Sequence, residues 1–136
     1  MFVLSGTSSI LLTGATGLIG GEVLRALLDH GVRAIWTLVR PGAQKTPARR
    51  ITVRMRRSGV ELNGASDFVR AVFGDLRSAG LGLSGDESEH VRGAIDCVIH
   101  CGAETSFIRD SECLDTNITG MRNLIEFVGS SAEFVG

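Results

Sequence analysis

Residues 13–20 read Thr13-Gly14-Ala15-Thr16-Gly17-Leu18-Ile19-Gly20, with glycine at every third position from Gly14. They follow a short apolar run, Ile10-Leu11-Leu12. They precede a segment in which Ile19, Val23, Leu27 and His30 recur at helical spacing, opposite Glu22, Arg25 and Asp29. A strand that turns directly into a helix presents unpaired amides and the positive end of the helix dipole, which together seat a phosphate. Each glycine has a task there. Gly14 permits the tight turn, Gly17 lets the backbone approach a pyrophosphate with no Cβ between, and Gly20 lets the helix pack close to the sheet. A ligand-free turn would also use glycines, but the strand–turn–helix context favours the phosphate site. No Gly-Lys-Ser/Thr follows, so the turn is not a P-loop.

The second position with chemistry to offer is Arg40. Where a nicotinamide dinucleotide lies on such a turn, an acid at the end of the second strand binds the adenosine ribose hydroxyls. Here that place holds arginine, and no acidic residue occurs from Arg40 to Arg57. A guanidinium pairs with a 2′-phosphate that a carboxylate would repel, so the expected ligand is NADP(H). Lys45, Arg49 and Arg50 strengthen the local positive field, and Arg50 joins Arg40 as a candidate cofactor contact. Arg54, Arg56 and Arg57 read as a solvated helix face. The stretch from Arg40 to Arg57 holds seven basic residues, which leaves the remainder at a net charge of −8. Such asymmetry marks one basic site in an acidic protein, and no nucleic-acid partner is expected.

The elements that must position these residues follow from periodicity. Ile10–Leu12 is a buried strand, and the helix after the turn ends at Gly31. Ile35–Val39 is a second strand, and 46–58 is helical. Phe68–Phe73 is a third strand, stopped by Gly74-Asp75. Residues 76–93 are rich in glycine and serine, with a short helix near 86–91. Asp96–His100 is a fourth strand. Asp115 then caps a helix to about Val128 that buries Ile118, Met121, Ile125 and Val128. Ser130-Ser131 reads as a loop and Glu133–Val135 as the stub of a fifth strand. The alternation gives an α/β, Rossmann-type doubly wound parallel sheet of order 3-2-1-4, its fifth strand truncated. With an apolar content of 43 % over 136 residues, one domain spanning 1–136 is expected. Small residues after the fourth strand, Cys101-Gly102-Ala103, let backbone lie against the ribose and nicotinamide side of a ligand. His100 reads as a strand-end residue with a satisfied ring.

These motifs together resemble the extended short-chain dehydrogenase/reductase superfamily, whose signature is TGxxGxxG. Leu38-Val39-Arg40, Gly74-Asp75-Leu76, Leu81-Gly82-Leu83-Ser84 and the run from Val98 to Phe107 resemble one branch. That branch holds the thioester reductase domains of peptide and polyketide synthases, the carboxylic acid reductases and the fatty acyl reductases. The resemblance covers about Ile10 to Val128. It implies that Arg40 serves NADPH and that Asp75 and Leu76 touch the adenine, with Asp75 accepting from its amino group. A turn-forming role for Asp75 is compatible with this. The branch often has Asn or Ala where Cys101 and Gly102 stand. Asn117 matches an Asn that organises a proton relay, although a helix-start residue satisfying backbone groups fits equally well.

The same resemblance implies a catalytic Ser/Thr and a Tyr-x-x-x-Lys pair. This chain has no tyrosine and a single lysine, Lys45. No catalytic residue is therefore assigned, and the domain reads as incomplete at its C-terminus. The expected function is the NADP(H)-binding portion of a reductase of acyl thioesters or related carbonyl compounds. An acyl carrier protein or acyl-CoA would engage it through the missing part. A nucleotide-sugar epimerase or dehydratase and a non-catalytic NADP-sensing module are the alternatives. Fourth-strand residues without a full fifth strand are expected to expose an unpaired edge. Cys97, Cys101 and Cys113 read as buried reduced thiols, which with the lack of a signal peptide suggests a cytoplasmic protein. No cysteine spacing suggests zinc, and no apolar run is long enough to span a bilayer.

Overall fold

Alternating apolar residues in β1 (Ser9–Thr13) send Ile10 and Leu12 to one side of a sheet and Leu11 to the other, and all five of its residues are buried. A strand buried on both faces belongs at the centre of a parallel sheet. The computed structural model, which describes residues 3–42, 46–62, 67–105, 110–129 and 133–135, places it there. The other strands are β2 (Ala34–Val39), β3 (Val69–Phe73), β4 (Cys97–His100) and β5 (Glu133–Val135). All pairings are parallel and the order is β3-β2-β1-β4-β5. The expected 3-2-1-4 order holds. The three-residue β5 lies beside β4, pairing Cys97 with Glu133 and Ile99 with Val135. The edge expected on β4 is therefore covered along most of its length and passes to β5.

Helices cover both faces. On one side α1 (Leu18–His30) and α2 (Pro47–Arg57) bring Leu24, Leu27, Ile51 and Met55 onto Ile10, Leu12, Ile35 and Val39. On the other, α3 (Gly85–Ala94) and α5 (Gly120–Val128) bring Val91, Leu124 and Phe127 onto Leu11, Trp36 and Val98. Thr46 caps α2, Gly31 ends α1 at φ 74°, and Ser84 and Glu87 form a capping box on α3. The 3₁₀ turn Ala79–Gly82 holds Leu81 at φ 60°, an uncommon conformation for a branched residue. Complete burial of its side chain in the second core offsets that strain.

Two helical faces differ from the periodicity. α1 buries Gly20, Gly21, Leu24 and Leu27, while Ile19 and His30 are exposed. The helix approaches its neighbours by its glycines, and that rotation carries Ile19 outward. Nor does Asp115 cap a helix: α4 (Asp110–Leu114) runs into a π-helical turn, Asp115–Thr119, and then into α5. The wider turn shifts the register, so that Thr116, Gly120, Leu124, Phe127 and Val128 are buried and Ile118 and Ile125 are exposed. Of the three cysteines only Cys97 is buried, and none forms a disulfide. Lys45, Ser106, Phe107 and Ser130-Ser131 lie outside the described residues. Among the described residues, no helix is long and apolar enough to cross a membrane, and no cluster of His, Cys, Asp or Glu could hold a metal ion.

Candidate functional site

A parallel sheet collects the C-terminal ends of its strands at one edge, and the expected site residues meet there. Gly14, at φ 73°, turns the chain out of β1 so closely against the exit of β4 that a Cβ would lie 2.6 Å from the Gly102 nitrogen. The Gly17 amide closes the turn on the Gly14 carbonyl at 2.8 Å. Gly20 stacks directly on that carbonyl, with no room for a side chain. The amides of Leu18, Ile19 and Gly20 then open α1. No side chain caps this end, and the Leu18 and Ile19 side chains are 80 % and 70 % exposed. These are the donors that a diphosphate can accept from.

The cleft over this turn measures about 170 Å³, and Thr13, Gly14, Thr16 and Gly17 form its floor. Arg40 and Arg50 form one lip. Arg40 is exposed at the end of β2, and Arg50 reaches back from α2 to donate to the Arg40 carbonyl. Beyond them lies an open hollow of about 670 Å³, bounded also by Pro41, Gly42, Asp75 and Arg77. The two arginines thus sit at the junction of the glycine turn and a space large enough for a purine.

Asp75 and Leu76 line the cleft after β3. Asp75 accepts the Arg77 amide at 3.0 Å and its guanidinium at 2.6–3.3 Å, which organises the turn. These hydrogen bonds from Arg77 hold its carboxyl below the usual range, against a smaller opposing effect of burial. Leu76 is wedged between two glycines: a Cβ on Gly102 would meet its Cδ1 at 2.9 Å and one on Gly120 its Cβ at 3.0 Å. Asn123 Nδ2 donates to the Leu76 carbonyl at 2.8 Å.

Cys101, Gly102 and Ala103 form the wall after β4. Burial raises the Cys101 thiol pKa, which disfavours the reactive thiolate. The His100 ring is satisfied, as its position in the sequence suggests, by a 2.6 Å hydrogen bond between Nδ1 and Thr13 Oγ1. Asn117 grips the continuing chain through the Glu104 amide, at 2.9 Å to Oδ1, and the Glu104 carbonyl, at 3.0 Å from Nδ2. It satisfies backbone groups, one of its two expected roles.

Sequence reasoning missed Thr116 and Arg54. Thr116 reaches the cleft because of the π-helical turn, for which the sequence carries no periodic signal. Arg54 leaves the solvated face assigned to it and bonds the carbonyls of Gly17 and Leu18. Its place one helical turn after Arg50 was the available signal.

The NAD-binding family described as male sterility protein matches residues 12–133 of this chain. The chain belongs to that family. Among individual proteins, it is 33 % identical over 116 residues to the fumosorinone synthetase of Cordyceps fumosorosea, a match covering 85 % of this chain and 2 % of the synthetase. The terminal R domain of the myxalamid PKS-NRPS biosynthetic pathway superposes with a TM-score of 0.83 at 27 % identity, over 97 % of this chain and 34 % of that one. The PhqB reductase domain from Penicillium fellutanum superposes with a TM-score of 0.71 at 28 % identity, over 90 % and 33 %. The chain therefore spans a small part of the synthetase and about a third of each solved domain. Membership of the NAD-binding family agrees with a turn built to hold a dinucleotide.

Proposed function

We propose that the cleft binds NADP(H) in preference to NAD(H), and that this chain is the cofactor-binding part of a reductase of acyl thioesters or related carbonyl compounds. The observation that carries the nucleotide preference is the lip of the cleft. Arg40, with Arg50 braced on its carbonyl, occupies the place where an acid would select NAD. The uncapped amides of Leu18, Ile19 and Gly20 fit the diphosphate, and Thr13, Thr16 and Gly17 shape its floor. Asp75 and Leu76 face the adenine side, and Cys101, Gly102 and Ala103 give the nicotinamide half a wall without bulky side chains. When bound, NADPH supplies the hydride.

The substrate class is supported by likeness to a synthetase, to the terminal R domain of a PKS-NRPS biosynthetic pathway and to a reductase domain. Acyl groups on such systems are carried as thioesters, so an acyl carrier protein or acyl-CoA is the expected partner. The chain has no tyrosine to protonate the developing oxyanion. By itself it should leave NADPH unoxidised in the presence of an acyl-CoA or an aldehyde, and robust turnover would overturn that assignment. For the nucleotide, the test is thermal: at equal concentration NADPH should raise the melting midpoint more than NADH does. Equal shifts, or none, would contradict the proposed preference.

A further inference from the structure

Arg54 sits on α2 with its guanidinium turned back against the start of α1. Its Nε donates to the Gly17 carbonyl at 3.1 Å and Nη2 to the Leu18 carbonyl at 3.3 Å, while Nη1 donates to the Ser58 hydroxyl one turn on. Gly21 makes the space: a Cβ there would fall 2.6 Å from Nη2 and 2.7 Å from Cζ.

The two carbonyls are well chosen. A peptide unit is planar, so the Gly17 carbonyl shares its plane with the Leu18 amide, and the Leu18 carbonyl with the Ile19 amide. Those amides are the leading donors of the uncapped helix end. A cation hydrogen-bonded to the oxygen end of each unit fixes its orientation and polarises the N–H at the opposite end. Arg54 also adds a full positive charge behind the helix terminus, reinforcing the field that attracts an anion.

We infer that Arg54 is a positioning residue for the diphosphate, acting through the Gly17 and Leu18 peptide units without touching the ligand. The inference rests on the dinucleotide reading of the cleft. It separates Arg54 from Arg40 by what each recognises. Arg40 answers to the 2′-phosphate, which NADH lacks; Arg54 answers to the diphosphate, which NADPH and NADH share.

The test is calorimetric titration of the full chain with NADPH and with NADH. Arg54→Ala should weaken both by the same factor, about tenfold. Arg54→Lys, which can reach one carbonyl at a time, should recover part of the loss. Gly21→Ala tests the same contact from the other side. It favours helix formation, so it keeps the chain folded, yet displaces the guanidinium. It should reproduce the Arg54→Ala loss, and the double variant should be no weaker than either single one. Unchanged affinities in Arg54→Ala, or a loss confined to NADPH, would overturn the inference while leaving the dinucleotide reading intact. A wild-type chain that binds neither nucleotide would overturn both.

Discussion

Thr13 Oγ1 lies 2.6 Å from His100 Nδ1 and accepts the Gly102 amide at 3.2 Å. One hydroxyl thus ties the end of β1 to the end of β4 and to the loop that walls the cleft. Thr13 is almost fully buried and its partners His100 and Gly102 are half-buried, so the bonds are partly shielded from water. Thr13→Val keeps the shape and deletes the hydroxyl. It should cost about 0.5–1.5 kcal/mol, the worth of a hydrogen bond between partly shielded groups, read as a lower denaturation midpoint in urea. Dinucleotide affinity should fall with it, because Gly102 loses its anchor. A midpoint equal to the wild type would show that the tie does not hold the two strands.

Burial of the same histidine should give the domain a pH dependence. Burial lowers the His100 pKa below that of an exposed histidine, so the folded ring resists protonation more than the unfolded one. Between the two values the unfolded chain binds more protons, and stability rises with pH. Full stability is therefore present above the unfolded histidine value of about 6.5 and declines as the pH falls below it. His100→Asn should flatten that part of the profile. Asp75, also lowered, loses its contribution only at more acid pH, as the pH falls through its folded value. A urea midpoint constant from pH 7.5 to pH 5.5 in the wild type, values bracketing that histidine range, would contradict the histidine assignment.

Gly20→Ala should be more damaging than its size suggests. Its Cβ would enter the Gly14 carbonyl and stand 3.0 Å from the Ala15 nitrogen, and both neighbours are backbone. The turn must move, at a cost of about 1–3 kcal/mol in stability and with dinucleotide affinity reduced by about tenfold or more. Gly85→Ala is the control. It opens α3 with nothing within 4 Å of the new Cβ, and should be neutral or slightly stabilising. Equal behaviour of the two variants would remove the packing argument for Gly20.

Arg40→Ala should weaken NADPH by at least about tenfold and leave NADH nearly unchanged, since a charge-assisted pair with a phosphate is worth about 1.5–3 kcal/mol. Affinities measured at two salt concentrations give a second check, because an exposed pair is screened. A parallel loss of NADH affinity would place Arg40 on the shared part of the ligand.

The sequence made β1, its glycine turn and Arg40 legible because each depends on local rules: a short apolar run, glycines where a Cβ has no room, a charge at a fixed place after a strand. The 3-2-1-4 order followed from alternation and handedness. What stayed hidden depends on contacts distant in the chain. The exposed face of α1 follows from Gly20 and Gly21 meeting the Gly14 carbonyl and Arg54, which no helical period encodes. The π-helical turn after Asp115 shifts the α5 face, exposes Ile125 and brings Thr116 to the cleft. Arg54 read as a solvated residue because its carbonyl partners lie 37 and 36 positions away.

Calorimetric titration of the folded wild-type chain with NADPH, with NADH in parallel, bears most directly on all of this. A dissociation constant in the micromolar range for NADPH, at least about tenfold tighter than for NADH, is the expected result. A chain shown to be folded by circular dichroism that takes up neither nucleotide at millimolar concentration would contradict it.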